Sequence, residues 1–140
     1  MCEKMRYVAA LMTLAFLSAE DIKKREIPLW MLFASGSVAL LKFLANGSFS
    51  WFELFESCLP GIILYFLAFV TKGEIGSGDG ATIVVLGLWT CAGFAFWTLC
   101  IGILLAGLGG VFVLLLKKEE RELPLIPFFL ISMEVMLVYA

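Results

Sequence analysis

Residues 81–116 form a continuous stretch without a charged side chain, and this stretch constrains the fold more than any other feature. It is too long for one crossing of a bilayer, which takes about 20 residues, so we expect two helices divided near residues 91–93. Hydrophobic residues make up 62% of the chain and charged residues 16%, whereas soluble domains are about half apolar and a quarter charged. The sequence therefore excludes a water-soluble globule and predicts an integral membrane protein.

Four further apolar segments bring the expected total to about six transmembrane helices, an all-α polytopic membrane fold. Their approximate bounds are residues 5–18, 29–45, 52–70 and 124–140. Pro28 suits the start of the second helix, and Pro60 lies within the third, where a membrane helix can accommodate a proline. Six short crossings use nearly all of the 140 residues. We therefore expect a single membrane-embedded domain over residues 1–140, without an added soluble domain.

The positions of Lys and Arg predict the orientation, because basic residues concentrate in cytoplasmic connections. With the N-terminus outside, seven of the ten basic residues face the cytoplasm. These seven are Lys23, Lys24, Arg25, Lys72, Lys117, Lys118 and Arg121. Lys4 and Arg6 before an apolar segment also resemble the start of a signal peptide, but Leu17 does not suit the cleavage site. We expect a multi-pass protein of the cytoplasmic membrane.

Residue types that are scarce exclude several kinds of chemistry. The chain has no histidine, which removes imidazole bases and histidine-ligated metals. Its four cysteines contain no CxxC pair, so we read those in apolar segments as small lipid-compatible residues. The net charge of −2 gives no basic surface for nucleic acid. We expect no metal, no cofactor and no nucleic-acid partner.

The chain has only two aspartates, Asp21 and Asp79, and they carry the main functional prediction. Asp21 follows the first apolar segment and Asp79 precedes the fourth, so six crossings bring both to the same membrane face. Two adjacent carboxylates share a proton, because their repulsion raises one pKa. One can then activate water while the other polarises a carbonyl group. We predict that Asp21 and Asp79 form a catalytic dyad for peptide hydrolysis.

A glycine-rich loop over residues 71–80 surrounds the second aspartate. Gly76 and Gly78 leave room for an extended peptide backbone beside Asp79, and glycine also permits a positive φ. A phosphate-binding loop fits less well, since the lysine and hydroxyl residue of a P-loop are missing. The spacing therefore favours a peptide-binding loop.

Three motifs resemble those of the type IV prepilin peptidases. The first is DIKKREIP at residues 21–28, an aspartate followed by basic residues and Ile-Pro. The second is GSGD at residues 76–79, which matches the family's GxGD motif, and the third is PLIPF at residues 124–128. The sequence departs from the family at Gly80 and Ala81, where Val-Lys is common, and this leaves details of substrate contact open.

The resemblance implies a membrane aspartic peptidase that removes the short basic leader from prepilins, pilin-like proteins or preflagellins at the cytoplasmic face. Asp21 and Asp79 take the places of the catalytic pair. Gly76, Gly78, Glu74 and Lys23 are the expected substrate-binding residues, although Glu74 is also a plausible solvated charge. The chain resembles the short, peptidase-only form, without the zinc and methyltransferase domain of larger members. The oligomeric state is left open.

Two other classes of function stay open at this point: a small transporter or channel subunit, and a non-catalytic component of a pilus or secretion assembly. A transport path needs acidic side chains within the spans, and Glu134 is the clear example. We also expect the tryptophans to anchor the helices at the membrane interfaces and several glycines to pack helices together. The tryptophans are Trp30, Trp51, Trp89 and Trp97, and the glycines are Gly102, Gly107, Gly109 and Gly110.

Overall fold

The computed structural model describes residues 2–24, 26–45, 47, 50–72, 76–116 and 124–139. Within these ranges the chain forms six α-helices and no β-strand. The helices are α1 (Cys2–Lys24), α2 (Leu29–Ala45), α3 (Trp51–Val70), α4 (Ser77–Trp89), α5 (Ala92–Leu115) and α6 (Ile126–Tyr139). The all-helical prediction is confirmed.

Helix α1 extends well beyond the apolar segment that ends near residue 18. It continues to Lys24, so Asp21 lies on the helix and not in the connection that the sequence predicted. Lys24 forms an ion pair of 3.3 Å with Glu20, one turn earlier, and the basic residues of the last turn interact favourably with the helix dipole. Hydropathy shows where the apolar part of α1 ends. The helix itself extends further, because these charged residues stabilise its last turns.

The second aspartate also lies on a helix. Helix α4 begins at Ser77, which places Gly78, Asp79 and Gly80 in its first turns and corrects the predicted loop over residues 71–80. Gly76 caps the helix, and its carbonyl oxygen accepts a hydrogen bond of 3.1 Å from the Asp79 amide. Residues 77–80 of the glycine-rich segment therefore form the start of α4.

Helix α4 is the central helix of the bundle. It contacts α1, α2, α3 and α5, while α6 packs against α1 and α5. Nine of its 13 residues are buried, and at 1.5 Å per residue it is only about 20 Å long. The surrounding core includes Leu14, Leu17, Leu64, Phe129 and Met133. The other helices enclose a short helix that carries Asp79 at its first turn.

Glycines bring α3 and α4 into backbone contact. A Cβ atom added to Gly87 would collide with the carbonyl oxygen of Ser57. One added to Gly61 would lie 2.6 Å from the backbone nitrogen of Val84, closer than van der Waals contact allows. The two helices can pack at this separation only because both positions lack side chains.

The outer surface of the bundle is strongly apolar, with large hydrophobic side chains exposed on every helix except α4. Such a surface indicates contact with lipid. Among the described residues, α3 and α5 are the two helices long and apolar enough to cross a membrane, and both expose most of their length. Helices α2 and α6 are apolar but have 17 and 14 residues. Membrane association is supported, while six complete crossings stay a prediction.

Trp89 differs from the other tryptophans. Trp30, Trp51 and Trp97 are exposed, but Trp89 is buried, and its indole nitrogen donates a hydrogen bond of 3.0 Å to the Ser35 hydroxyl. The prediction of an interfacial anchor is wrong for Trp89, because its polar group finds a protein partner instead of the membrane interface.

Two of the predicted packing glycines do face a neighbouring helix. A Cβ on Gly102 would collide with Phe129, and one on Gly109 would lie 2.9 Å from the ring of Phe128. A Cβ on Gly107 meets nothing within 4 Å. Gly102 and Gly109 thus let α5 approach α6, whereas Gly107 does not take part.

Candidate active site

Asp21 is a buried carboxylic acid on the last two turns of α1, with 8% of its surface exposed. It forms a backbone hydrogen bond with Ile126, the first residue of α6. One carboxyl oxygen, Oδ2, is buried without a hydrogen-bond partner among the described residues. Burial raises the pKa of Asp21, and the hydrogen bond from Ile126 lowers it in part. This oxygen therefore keeps an unused capacity to accept a hydrogen bond.

Asp79 is the more strongly perturbed acid. It lies in the first turn of α4 with 7% of its surface exposed. Its pKa is raised to about 7, mainly by burial and also by the charge of Asp21, while a backbone hydrogen bond with Gly76 acts in the opposite direction. A carboxylic acid with this pKa keeps its proton at near-neutral pH for a substantial fraction of the time.

The fold brings Asp21 and Asp79 together although they lie far apart in the sequence. Helices α1 and α4 are in contact, and the charge of Asp21 acts on the carboxyl group of Asp79. The two acids therefore interact electrostatically. A buried carboxyl group that keeps its proton near pH 7 can serve as an acid, and a second, ionised carboxyl group can serve as a base.

Gly76 and Gly78 have packing roles that the sequence did not indicate. A Cβ on Gly78 would lie 2.6 Å from Cδ1 of Ile27, and one on Gly76 would lie 3.1 Å from Oδ2 of Asp79. Gly76 has φ of −63°, so the positive φ that glycine permits is not used at this position. Gly78 instead lets the Ile-Pro segment after α1 pack against the start of α4.

Gly80, where the sequence departs from the resembled family, also has a structural reason. Its Cβ would lie 3.1 Å from three backbone and side-chain atoms of Tyr65 on α3. A glycine at this position costs α4 up to about 1 kcal/mol of helix propensity. It also lets α4 pack closely on α3. Tyr65 approaches the residue next to Asp79 for this reason.

Two cavities reach the segment that carries Asp79. A cleft of about 830 Å³ is bounded by Lys72, Gly76 and Ser77 near the start of α4. An apolar groove of about 550 Å³ lies between α2 and α3 and reaches Gly80. Tyr65 lines both cavities, while neither aspartate forms part of their walls. The structure therefore has space on both sides of the segment that carries Asp79, while Asp79 itself is buried.

The remaining predicted substrate-binding residues are charged. Lys23 is exposed on the last turn of α1, and Glu74 lies outside the described residues. Glu134 is exposed on α6, so it faces the outside of the bundle and not an internal path. Within the described part of the chain, no three His, Cys, Asp or Glu side chains cluster as metal ligands do.

Ile126 and Tyr65 are site residues that sequence reasoning did not single out. The PLIPF motif at residues 124–128 is a signal for Ile126, since Pro127 falls in the first turn of α6 and marks where that helix begins. Nothing in the sequence indicates Tyr65, because its place beside Asp79 depends on the packing of α3 against α4.

Comparison with known proteins adds one match. The model of the type IV leader peptidase family matches residues 8–140, a range that includes both aspartates. No curated protein and no solved structure matches the chain significantly.

Proposed function

We propose, because this chain belongs to the type IV leader peptidase family, that it is an aspartic endopeptidase which removes the short basic leader from prepilins or pilin-like proteins. Membership of the family supports a leader-peptidase-like protease. The observation that carries the aspartic mechanism is the coupling of two buried acids, Asp21 and Asp79, one of which has a pKa of about 7.

In the proposed reaction the two aspartates have different roles. Ionised Asp21 accepts a proton from water, whose oxygen attacks the scissile carbonyl carbon, while protonated Asp79 donates its proton to the carbonyl oxygen. As the tetrahedral intermediate collapses, Asp79 takes that proton back and Asp21 gives its proton to the leaving amine nitrogen. The peptide bond is then hydrolysed and the dyad returns to its starting state.

The hydrogen bond from Ile126 supports this division of roles. The N-terminus of α6 carries a partial positive charge that favours an anion, and Asp21 forms its backbone hydrogen bond there. Asp79 has its pKa raised both by burial and by the charge of Asp21. The shared proton therefore resides mainly on Asp79.

The proposed substrate is a peptide with a basic leader. Gly76 borders the cleft beside α4, where a missing side chain lets an extended backbone pass close to Asp79. We do not assign this role to Gly78, because Ile27 occupies the space beside it. We assign Glu74 and Lys23 contacts with the leader. A preflagellin has the same leader chemistry and is an equally suitable substrate.

The proposed membrane arrangement has all six helices crossing the cytoplasmic membrane, with the N-terminus outside. The ends of α1, α3 and α5 and the beginnings of α2, α4 and α6 then face the cytoplasm, together with the dyad. Most Lys and Arg residues lie on this side, as expected for cytoplasmic connections. The short α4 is enclosed by its neighbours, so it crosses as part of the bundle and does not have to match the bilayer thickness by itself.

Cleavage of a candidate prepilin by the purified protein in lipid or detergent tests the proposal. The wild type is expected to release the leader on a gel that resolves its loss, and Asp21→Asn and Asp79→Asn are each expected to lose activity by several orders of magnitude. Glu74→Gln serves as the charge-removal control and is expected to lose much less. An active Asp79→Asn protein would exclude the dyad, and a folded wild type that cleaves no pilin-like substrate would exclude the function.

A further inference from the structure

Helix α1 is bonded to α4 at the end opposite the dyad. Arg6, near the start of α1, donates a hydrogen bond of 2.9 Å from Nε to the carbonyl oxygen of Trp89. Its Nη2 atom donates a second bond of 2.8 Å to the carbonyl oxygen of Thr90. Trp89 ends α4 and Thr90 caps it, so one guanidinium group holds the C-terminal end of the helix.

This contact satisfies a physical requirement of α4. The last carbonyl groups of a helix have no partner within the helix, and together they carry a partial negative charge. Arginine presents a fixed cation with several N–H donors in one plane, which suits two neighbouring carbonyl oxygens. Arg6 therefore donates hydrogen bonds to carbonyl groups that lack a partner within the helix, and its charge balances the helix dipole.

Further polar contacts tie the same end of α4 to two other helices. The indole of Trp89 donates to Ser35 of α2, and the Ser35 hydroxyl is 3.2 Å from the Thr13 hydroxyl of α1. The ammonium group of Lys42 lies 5.4 Å from the centre of the Trp89 ring. These contacts leave little freedom for α4 to slide along α1 at this end.

At the dyad end of the same two helices, the charge of Asp21 acts on the carboxyl group of Asp79. Asp21 and Asp79 carry like charges when both are ionised, so their interaction pushes α1 and α4 apart. Because an α-helix is a stiff rod with a rise of 1.5 Å per residue, the register fixed at one end is transmitted to the other. A displacement of about 1 Å between reacting groups can cost about 100-fold in rate.

We propose that Arg6 is a positioning residue, whose two bonds to the carbonyl groups of Trp89 and Thr90 fix the register of α1 against α4 and thereby the approach of Asp21 to Asp79. The proposal rests on the peptidase function described above. It assigns to Arg6 a role in catalysis that it performs without touching the substrate.

The test compares Arg6→Gln, Arg6→Lys and Lys4→Gln in the full-length protein in detergent, with a prepilin substrate. We measure kcat, KM, the pH dependence of kcat/KM and the melting temperature of each variant. Lys4 is exposed on the same helix, so Lys4→Gln controls for the loss of a positive charge. Arg6→Gln is expected to lower kcat by about 10-fold to 100-fold with little change in KM, and Lys4→Gln to match the wild type.

The pH profile distinguishes positioning from a purely structural role. Separation of the aspartates weakens the effect of the Asp21 charge, which raises the pKa of Asp79. The alkaline limb of the profile, where kcat/KM falls as Asp79 loses its proton, is therefore expected at lower pH in Arg6→Gln than in the wild type. Arg6→Lys keeps the charge and can form one of the two bonds, and is expected to be intermediate in kcat and in the position of the limb.

Three results would overturn the proposal or its premise, and they differ from one another. Arg6→Gln with wild-type kcat and an unshifted limb overturns the positioning role. A lower melting temperature of Arg6→Gln with an unshifted alkaline limb also overturns it, because Arg6 then has a structural role only. If Arg6→Gln does not accumulate, Arg6→Lys replaces it, and an unshifted alkaline limb in that variant has the same meaning. A wild-type protein that cleaves no substrate contradicts the proposed function itself.

Discussion

Asp21 near the end of the first helix forms a hydrogen bond with the backbone of Ile126 at the start of the last helix. This bond joins two motifs from opposite ends of the sequence. It gives the PLIPF segment a function that does not depend on its side chains, since the donor is a main-chain amide at a helix N-terminus. The beginning of α6 is thus part of the environment that controls the charge of Asp21.

Replacing Ile126 with proline tests this bond. Proline has no amide hydrogen but is tolerated at the first position of a helix, so Ile126→Pro removes the donor specifically. The ionised form of Asp21 loses a stabilising interaction and its pKa rises. A hydrogen bond to a charged group contributes about 1.5 to 3 kcal/mol, so cleavage at pH 5 is expected to fall by about 10-fold or more relative to wild type.

The matched control is Ile126→Ala, which shortens a buried side chain but retains the amide. It is expected to lower the melting temperature without moving the acidic limb of the pH profile of kcat/KM. If Ile126→Pro and Ile126→Ala shift that limb equally, the effect comes from side-chain packing and the amide has no role.

The activity of the wild type is expected to depend on a proton near pH 7. The pKa of Asp79 is raised to about 7, and the mechanism requires this group in its protonated form. kcat/KM should therefore fall about 10-fold per pH unit above that value. A series of cleavage rates from pH 5 to pH 9 on one peptide substrate measures this, and a constant rate up to pH 9 would contradict the role of Asp79 as the acid.

The stability of the protein is expected to fall as pH rises through the same range. The folded pKa of Asp79, about 7, lies above its ordinary value of 3.8, so the folded protein binds more protons than the unfolded one between these values. The stabilising contribution of the protonated group is complete below about pH 4 and is lost as pH rises through 7. The total effect is at most about 4 kcal/mol.

Asp79→Asn removes this dependence. The variant is expected to melt at a higher temperature than the wild type at pH 8 and at about the same temperature at pH 4.5, as measured by thermal unfolding in one detergent. Equal melting temperatures at both pH values would show that ionisation of Asp79 carries no energetic penalty in the folded state.

Two glycine-to-alanine substitutions separate packing from helix propensity. Gly87→Ala places a methyl group against the carbonyl oxygen of Ser57 in the neighbouring helix, whereas Gly107→Ala meets nothing within 4 Å. Gly87→Ala is expected to destabilise the protein by about 1 to 3 kcal/mol through overpacking. Gly107→Ala is expected to stabilise α5 by up to about 1 kcal/mol.

Melting temperatures and yields of monodisperse protein measure the difference between these two variants. A Gly87→Ala protein as stable as Gly107→Ala would mean that α3 and α4 can separate at no cost, and the close backbone contact would then not be a determinant of the fold.

The approach of Asp21 to Asp79 could be predicted from the sequence because it depends on the number of membrane crossings between them. With each apolar segment counted as one crossing, the first ends and the fourth begins on the same face. The helical position of both acids could not be predicted, since hydropathy detects the apolar span and not the helix that extends beyond it. Hydropathy takes no account of the ion pair between Glu20 and Lys24, which supports the helix beyond its apolar span.

Contacts that depend on helix packing were also beyond sequence reasoning. In the sequence, Arg6 reads as a topology signal near the N-terminus. In the structure, it donates hydrogen bonds to the carbonyl oxygens of Trp89 and Thr90 at the end of α4. In the sequence, Gly78 reads as room for a peptide backbone and Gly80 as a departure from the family, yet Ile27 and Tyr65 occupy the space beside them. In each case the partner lies on another element, and its identity follows only once the helices are assembled.

The 13-residue length of α4 has a further consequence in the proposed bilayer arrangement. A helix of about 20 Å is roughly 10 Å shorter than the hydrocarbon layer, so its two ends cannot both reach the lipid headgroups. Because the neighbouring helices enclose α4, its shortness is met by the packing of the bundle and not by the surrounding lipid. A substrate then has to descend between the longer helices to reach Asp79. The length of α4 sets the depth of that descent.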